Sequence, residues 1–287
     1  MTESVGAVIV NYNAGEHLRH CVQSLRADGV AEIVVADNDS RDGSERAVAE
    51  ADPEVVVLRT GDNLGFGTAA NRGVAATTSP YVLIMNPDVV VEPGTVKCLA
   101  TALDEDPNLA AVGPRITNLD GSRYPSARRF PDLPVAAGHA FLGFVWPENP
   151  FSRAYKLADR DHTRAQPVDW LSGACLLVRR TAFREVGGFD EAYFMYVEDV
   201  DLCWRLWRAG WRVGYEPAAT VVHTVGVSSD QAPYRMILAH HVSMWRFAIR
   251  STTGTRRILL PAVAAGLVVR TGLAWTQRAW QSWRSRS

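Results

Sequence analysis

A chain of 287 residues that is 47% hydrophobic and 21% charged has enough apolar material for a full core, which excludes a disordered or low-complexity polymer. Its net charge of −1 hides a split, because residues 231 to 287 carry nine arginines and no Asp, Glu or Lys, while residues 1 to 230 hold 21 basic against 31 acidic residues. An acidic body argues against nucleic acid as a partner, and Cys21, Cys98, Cys175 and Cys203 match no zinc or disulfide spacing, which fits a reduced, cytosolic chain.

In chain order, Val5 to Val10 forms a continuous apolar run ending in Asn11-Tyr12-Asn13. No basic lead or small-residue cleavage site precedes it, so no signal peptide is expected. Apolar residues at helical spacing follow over Glu16 to Leu25. A second buried strand, Ile33 to Ala36, is closed by Asp37-Asn38-Asp39-Ser40-Arg41-Asp42-Gly43-Ser44, and the next helix is expected from Ser44 to about Ala51. Helix capping accounts for one of these three carboxylates and leaves the others to be explained. Val55 to Leu58 reads as a third strand, Gly65-Phe66-Gly67 opens a helix through Asn71 to Ala76, and Tyr81 to Met85 is a fourth strand. Strands alternating with helices at this interval predict a mainly parallel sheet with both faces covered.

The fourth strand runs into Asn86-Pro87-Asp88 before a second apolar run, Val89-Val90-Val91. Pro87 removes a backbone donor and holds Asn86 extended, so Asp88 is expected at a strand's carboxyl edge, where open α/β sheets bind ligands; a turn whose Asp caps its own backbone is the plainer reading. A helix is expected from about Thr95 to Asp104. Residues 118 to 167, rich in proline, arginine and aromatics without a sustained period, read as a long loop over a site. Ser172-Gly173-Ala174 then precedes a buried strand, as either a pocket floor or a packing glycine. Glu198, Asp199 and Asp201 lead into an amphipathic helix through Leu206. The helix dipole explains one or two of these acids; crowding of all three raises at least one pKa and creates a proton acceptor near neutral pH. Ala219 to Val222 is expected as a short strand ending on His223.

Gly65-x-Gly67-x-x-Ala70, with Asp88 about twenty residues on, formally satisfies a dinucleotide fingerprint. It stands in the third strand-helix unit instead of the first, and Asp88 lies beyond Asn86-Pro87, so a nicotinamide enzyme is disfavoured.

The motifs Val8-Ile9-Val10-Asn11-Tyr12-Asn13, Asp37 to Ser44, Asn63 to Gly73, Asn86-Pro87-Asp88, Ser172-Gly173-Ala174 and Glu198-Asp199-x-Asp201 occur in order over about residues 5 to 225. Together they resemble the family 2 inverting glycosyltransferases of GT-A fold, most of all the rhamnosyltransferases that act on polyprenyl-diphosphate-linked N-acetylglucosamine. The resemblance implies a Rossmann-like sheet flanked by helices. Residues 1 to 230 would form the catalytic domain, with a nucleotide-sugar half at 1 to 115 and an acceptor half at 116 to 230, and residues 231 to 287 a basic, Trp-rich helical tail.

The resemblance also assigns roles. Tyr12 and Asp37 would hold the donor nucleobase, and Asn63, Gly65 and Asn71 would line the nucleotide cleft, with Asn11, Asn38, Asp39, Phe66 and Asn86 completing the donor side. Asp88 matches the last acid of the family's Asp-x-Asp metal motif, and His223 stands where relatives supply a further ligand to Mg²⁺ or Mn²⁺. Asn86 replaces the first acid of that motif and removes one negative charge. Asp199 would be the general base. Trp170, Ser172, Gly173, Glu198 and Asp201 would meet the acceptor, with Glu198 and Asp201 orienting either acceptor or helix. The Gln-x-x-Arg-Trp motif of processive synthases is missing, so one sugar or very few is expected per binding event.

The expected donor is a nucleotide sugar, dTDP-L-rhamnose, and the expected acceptor a polyprenyl-diphosphate-linked sugar. Ile258 to Val269 counts as only twelve largely apolar residues, broken by Pro261 and ended by Arg270. That is short of the roughly 20 needed to span a bilayer. Trp275, Trp280 and Trp283 with Arg278, Arg284 and Arg286 then read as a helix lying in an anionic membrane surface, with docking on the acidic body as the other reading. This implies a peripheral protein at the cytoplasmic face of the membrane, and a homo-oligomer is compatible with the sequence. Two alternatives are a non-catalytic sugar-nucleotide binding protein, against which Asp88 and Asp199 count, and a sugar-1-phosphate nucleotidylyltransferase, whose Gly-rich, Arg-bearing first loop Asn11-Tyr12-Asn13-Ala14-Gly15 does not resemble.

Overall fold

The computed structural model describes residues 4–130, 132–143, 146–224 and 233–284, apart from the side chains of residues 133, 134, 233 and 281 to 284. The side chains of Trp283 and Arg284, and Arg286, therefore lie outside the described residues.

The first seven elements alternate as the apolar runs predict: β1 (Val5–Asn11), α1 (Glu16–Ala27), β2 (Glu32–Asp37), α2 (Ser44–Ala51), β3 (Val56–Arg59), α3 (Phe66–Ala75) and β4 (Tyr81–Met85). β1 pairs in parallel with both β2 and β4, and β2 with β3. Successive strand residues face opposite sides, and both sides are covered. Val8, Val10, Val34 and Ile84 pack with Ala69, Ala70 and Val74 of α3, whereas Ile9, Ile33, Val35 and Leu83 pack with Leu18, Val22 and Leu25 of α1.

The chain continues through β5 (Val89–Val91), α4 (Thr95–Glu105), β6 (Leu109–Asn118), β7 (Arg123–Tyr124), β8 (Ala127–Arg128), α5 (Leu133–Leu142), α6 (Pro150–Tyr155), β9 (Gln166–Pro167), β10 (Trp170–Leu171), β11 (Cys175–Arg179), α7 (Arg180–Glu185), α8 (Glu198–Arg208) and β12 (Arg212–His223). The sheet order is β3-β2-β1-β4-β11-β6-β12-β5. β11 runs antiparallel to both β4 and β6, so the sheet is parallel in its N-terminal half and mixed beyond it. This insertion sets Cys175 opposite Met85, and Asn86 donates its backbone N–H to Ala174 O at 3.0 Å. Ser172-Gly173-Ala174 thereby lies beside Asn86-Pro87-Asp88.

Two local readings change. Residues 118 to 167 are no plain loop: Asp132 and Asn149 cap α5 and α6 by accepting from Val135 N and Ser152 N at 2.9 Å each, with a proline in each first turn. The expected short strand at 219 to 222 is the end of the twelve-residue β12, whose register shifts between Glu216 and Thr220 and hides the alternation.

The tail forms α9 (Pro233–Ser251), a 3-10 turn (Gly254–Leu259) and α10 (Leu260–Arg284). α9 docks on the body: Phe247 is buried and meets Trp204 of α8 edge-on at 6.2 Å, and Arg250 pairs with Asp190 and Asp201. α10 leaves Val268, Val269, Leu273, Trp275 and Trp280 exposed. The twelve-residue estimate for this segment is too short. Pro261 falls in the first turn, where a missing N–H breaks no helical bond, and the helix runs on past Arg270. Among the described residues one helical stretch, Gly254–Trp280, is long and apolar enough to cross a membrane by length and composition, with mean hydropathy 1.7 over its most apolar window.

Candidate active site

The carboxyl ends of the parallel strands gather the first group of polar residues. Asn11 and Asp37 are register partners at the ends of β1 and β2, both buried, and Asn11 Nδ2 donates to Asp37 Oδ1 at 2.8 Å. The same amide nitrogen also lies 3.0 Å from Ser40 Oγ and 2.9 Å from Ser44 Oγ, which fixes the turn after β2 over the end of β1. The second Asp37 oxygen accepts from Ser40 N at 3.2 Å. Asn11 Oδ1 is buried without a hydrogen-bond partner. Tyr12 is half-buried on the next residue, and Asp39, at φ 68°, pairs with Arg41 at 3.8 Å on the open side.

The 60-to-66 loop closes this edge. Asn38 Oδ1 accepts from Leu64 N at 2.9 Å, while Asn38 Nδ2 donates to Asn63 Oδ1 at 3.1 Å and Gly65 O at 3.2 Å. Gly65 sits at φ 87°, and a Cβ there would lie 2.0 Å from Phe194 O, so only glycine lets this loop close on the segment before α8. Asn38, expected on the donor, thus braces the loop. Phe66, also expected there, is buried edge-on against Phe189 at 5.7 Å. Asn71 likewise turns away from the cleft: its amide donates to Phe189 O at 2.8 Å and accepts from Phe189 N at 2.9 Å.

Asp88 and His223 meet because β5 pairs with β12, with Val89 opposite His223, and because Thr224 N donates to Asp88 O at 2.9 Å. Both side chains are buried, and Asp88 Oδ1 stands 3.2 Å from His223 Nε2. That contact lacks hydrogen-bond geometry, and both ring nitrogens of His223 are buried without a partner. A buried imidazole without partners beside a carboxylate carries a cost that a divalent cation would offset, so this donor pair fits Mg²⁺ or Mn²⁺. Among the described residues no group of three or more His, Cys, Asp or Glu converges, so an ion here would draw its remaining ligands from elsewhere.

The third group starts at the N-terminus of α8. Val197, a β-branched residue, is held at φ 68°, and Tyr196 at 66°. Such geometry is costly and marks a position fixed by its surroundings. It delivers Glu198 and Asp199 together. Asp199 Oδ2 accepts from Gly173 N at 2.9 Å, and Oδ1 from Val200 N at 2.8 Å. Burial raises the Asp199 pKa, while those two amides and the nearby Arg128 guanidinium oppose the rise. Glu198 is buried, with Oε2 unpartnered, and burial followed by the Asp199 charge pushes it up to about 8. Of the two, Asp199 is the better able to carry the charge, because it has the donors. Asp201, by contrast, is fully buried and paired, at 2.6 Å with Arg205 Nε and 3.3 Å with Arg250 Nε. It orients the helix and makes no opening for an acceptor.

Above Asp199 lies a residue that the sequence reading passed over. Arg128 stacks over Trp170 at 4.8 Å, Tyr155 at 5.7 Å and Tyr124 at 5.8 Å. Among the described residues no carboxylate comes within ion-pair distance of it, and Asp199 is the acid that acts on it electrostatically. Trp170 serves as a wall of this cage, its Nε1 donating to Arg129 O at 3.0 Å. Ser172 is buried beside it, with Oγ accepting from Ala174 N at 3.3 Å. The mixture of arginine and aromatics in residues 118 to 167 was the available signal.

The model of glycosyl transferase family 2 matches residues 7–187. The chain belongs to that family. This glycosyltransferase is 41% identical, over 97% of its length and 97% of the relative's, to the N-acetylglucosaminyl-diphospho-decaprenol L-rhamnosyltransferase of Mycobacterium tuberculosis (strain ATCC 25618 / H37Rv). It is 29% identical to rhamnosyltransferase WbbL of Escherichia coli (strain K12), over 75% of this chain and 81% of that one. Among solved structures it resembles mannosyltransferase PcManGT from Pyrobaculum calidifontis, in complex with GDP-Man and Mn²⁺, with a TM-score of 0.61 at 16% identity over 100% of this chain and 81% of the other. That likeness establishes the GT-A fold expected from the motifs.

Proposed function

We propose that this glycosyltransferase transfers L-rhamnose from dTDP-L-rhamnose to N-acetylglucosaminyl-diphosphoryl-polyprenol, inverting the anomeric centre. Likeness to the mycobacterial rhamnosyltransferase over 97% of each chain supports the choice of sugar and of acceptor. The chemistry is supported by Asp199, a carboxyl group fixed by two backbone amides beside the edge that bears Asp88. In this reading the acceptor hydroxyl attacks the anomeric carbon opposite the diphosphate and gives its proton to Asp199 as the bond to the leaving phosphate oxygen breaks. Glu198, protonated, leaves Asp199 as the single acceptor of that proton. Asp37 and Tyr12 would receive the nucleobase, with Asn11 and Asn63 shaping the edge, and Trp170, Ser172 and Gly173 would border the acceptor. Asp88 and His223 would hold Mg²⁺ or Mn²⁺, which when bound supplies positive charge to the departing nucleoside diphosphate.

Residues 1 to 230 would act as the catalytic domain and residues 231 to 287 as a tail that holds the enzyme peripherally at the cytoplasmic membrane face. The exposed apolar residues and tryptophans of α10 support this attachment. The deciding experiment is transfer from a panel of nucleotide sugars to polyprenyl-diphosphate N-acetylglucosamine, with Mg²⁺ or Mn²⁺ and with chelator. Metal-dependent product from dTDP-L-rhamnose alone is expected, and product from a different donor would overturn the choice of sugar.

A further inference from the structure

The tail contains a feature that the chemistry at Asp199 does not use. Between α9 and α10 lies a pocket of about 370 Å³, lined by Ile237, His240, His241, Arg270, Gln277 and Arg278. The polar groups lining it are cationic or neutral, with no Asp or Glu among them. Further cations stand around the pocket. Arg270 and Arg128 act on His240, and Lys156, Arg128 and Arg270 act on His139, while burial first of all lowers the pKa of both rings.

The pocket also connects with the reaction centre. The His240 ring meets Tyr196 edge-on at 5.2 Å, and Ser243 Oγ on α9 donates to Met195 O at 2.9 Å. Tyr196 and Val197 are the strained residues that position Glu198 and Asp199. Arg128 acts electrostatically on Asp199 on one side and on His240 on the other. Arg128 is therefore a cation shared by the base and the rim of the pocket. Beyond the pocket, α10 exposes Val268, Leu273 and Trp275.

We propose that the pocket between α9 and α10, through Arg270 and Arg278, binds the diphosphate of the lipid-linked acceptor. The inference rests on the reading that the acceptor is such a lipid. A diphosphate diester is dianionic at neutral pH and matches two guanidinium groups in a pocket without acids. Its polyprenyl chain would continue along the exposed apolar residues of α10, and its sugar would point toward Arg128 and Asp199. The tail would then select the acceptor as well as hold the membrane.

The test uses the full chain, its Arg270→Ala/Arg278→Ala double variant and the corresponding double Lys variant. With a short, water-soluble citronellyl-diphosphate N-acetylglucosamine, the Ala variant should raise the acceptor KM at least tenfold and leave the donor KM unchanged, and the Lys variant should recover most of the loss. With a neutral alkyl N-acetylglucosaminide, wild type and variants should perform alike. An unchanged KM on the diphosphate acceptor, or an equal loss on the neutral one, would overturn the proposal. So would a loss seen only with phosphatidylglycerol vesicles, which would assign the pocket to bilayer headgroups. Calorimetry with citronellyl diphosphate, the donor site saturated with nucleoside diphosphate and Mn²⁺, separates the two readings. Tenfold weaker binding by the Ala variant supports the pocket even if the wild type transfers no sugar to this acceptor, an outcome that would sink the proposed function alone.

Discussion

Gly173 donates its backbone N–H to Asp199 Oδ2 at 2.9 Å, which ties the lead-in of β11 to the first turn of α8. The bond orients the carboxylate without consuming its ability to take a proton. Asp199→Asn keeps an oxygen for Gly173 and loses the proton acceptor, together with the hydrogen bond from Val200 N. Transfer should fall by a factor of about 10² to 10⁴, the usual contribution of a general base, with donor affinity by calorimetry within twofold of wild type. A matching loss of donor affinity would show that Asp199 belongs to the donor site.

Glu198 and Asp199 predict an unusual dependence of stability on pH. The folded-state pKa of Glu198 is raised to about 8 from the ordinary 4.5, so between these values the folded protein holds a proton that the unfolded chain has released. Its contribution is complete below about 4.5 and is lost as pH rises toward 8, with a limiting slope of about 1.4 kcal/mol per pH unit. Urea denaturation should show wild-type stability declining across that window. Glu198→Gln, which cannot ionise, should flatten the upper part of the decline; an unchanged slope would mean that Glu198 is not the group responsible.

The pairing of β5 with β12 places Asp88 Oδ1 3.2 Å from an imidazole with no hydrogen-bond partner. If this pair holds a cation, His223→Ala should weaken Mn²⁺ binding to the enzyme–nucleotide complex by about tenfold or more, read from free Mn²⁺ by electron paramagnetic resonance. Nucleotide affinity in chelator should stay near wild type. Mn²⁺ binding unchanged in the variant would remove His223 from the metal site.

The N-terminal half was legible because each of its buried strands is a continuous apolar run with a polar stop, and Asn11, Asp37 and Asp88 are those stops. Pro87 made the Asp88 edge readable from local backbone rules alone. What sequence could not show was where a polar side chain spends its hydrogen bonds. Asn71 finds Phe189, 118 positions away, and Asn38 finds Leu64 and Gly65, so two amides expected at the ligand are spent on holding loops. Arg128 escaped for a related reason. Its cage draws on Tyr124, Tyr155 and Trp170 from segments of two to six residues, too short for any period to register. The length of α10 was missed because Pro261 was read as an interruption, whereas in a first turn it is compatible with the helix that follows.

Asp201 gives the clearest separation of structure from chemistry among the three acids of α8. Its carboxylate is fully buried, with Arg205 Nε at 2.6 Å, Arg250 Nε at 3.3 Å and the Tyr193 hydroxyl at 3.4 Å. Arg205 Nη2 is already buried without a partner, so removing the carboxylate would leave a poorly compensated charge inside the protein. Breaking a buried pair from one side costs about 3–5 kcal/mol. Asp201→Ala should therefore lower stability by that order in urea denaturation, while Arg250 keeps its pairing with Asp190 and α9 stays docked. At a temperature where the variant stays folded, its acceptor KM should remain within about threefold of wild type. A large rise in acceptor KM at unchanged stability would return Asp201 to the acceptor site, and the contacts with Arg205 and Arg250 would then be incidental to its role.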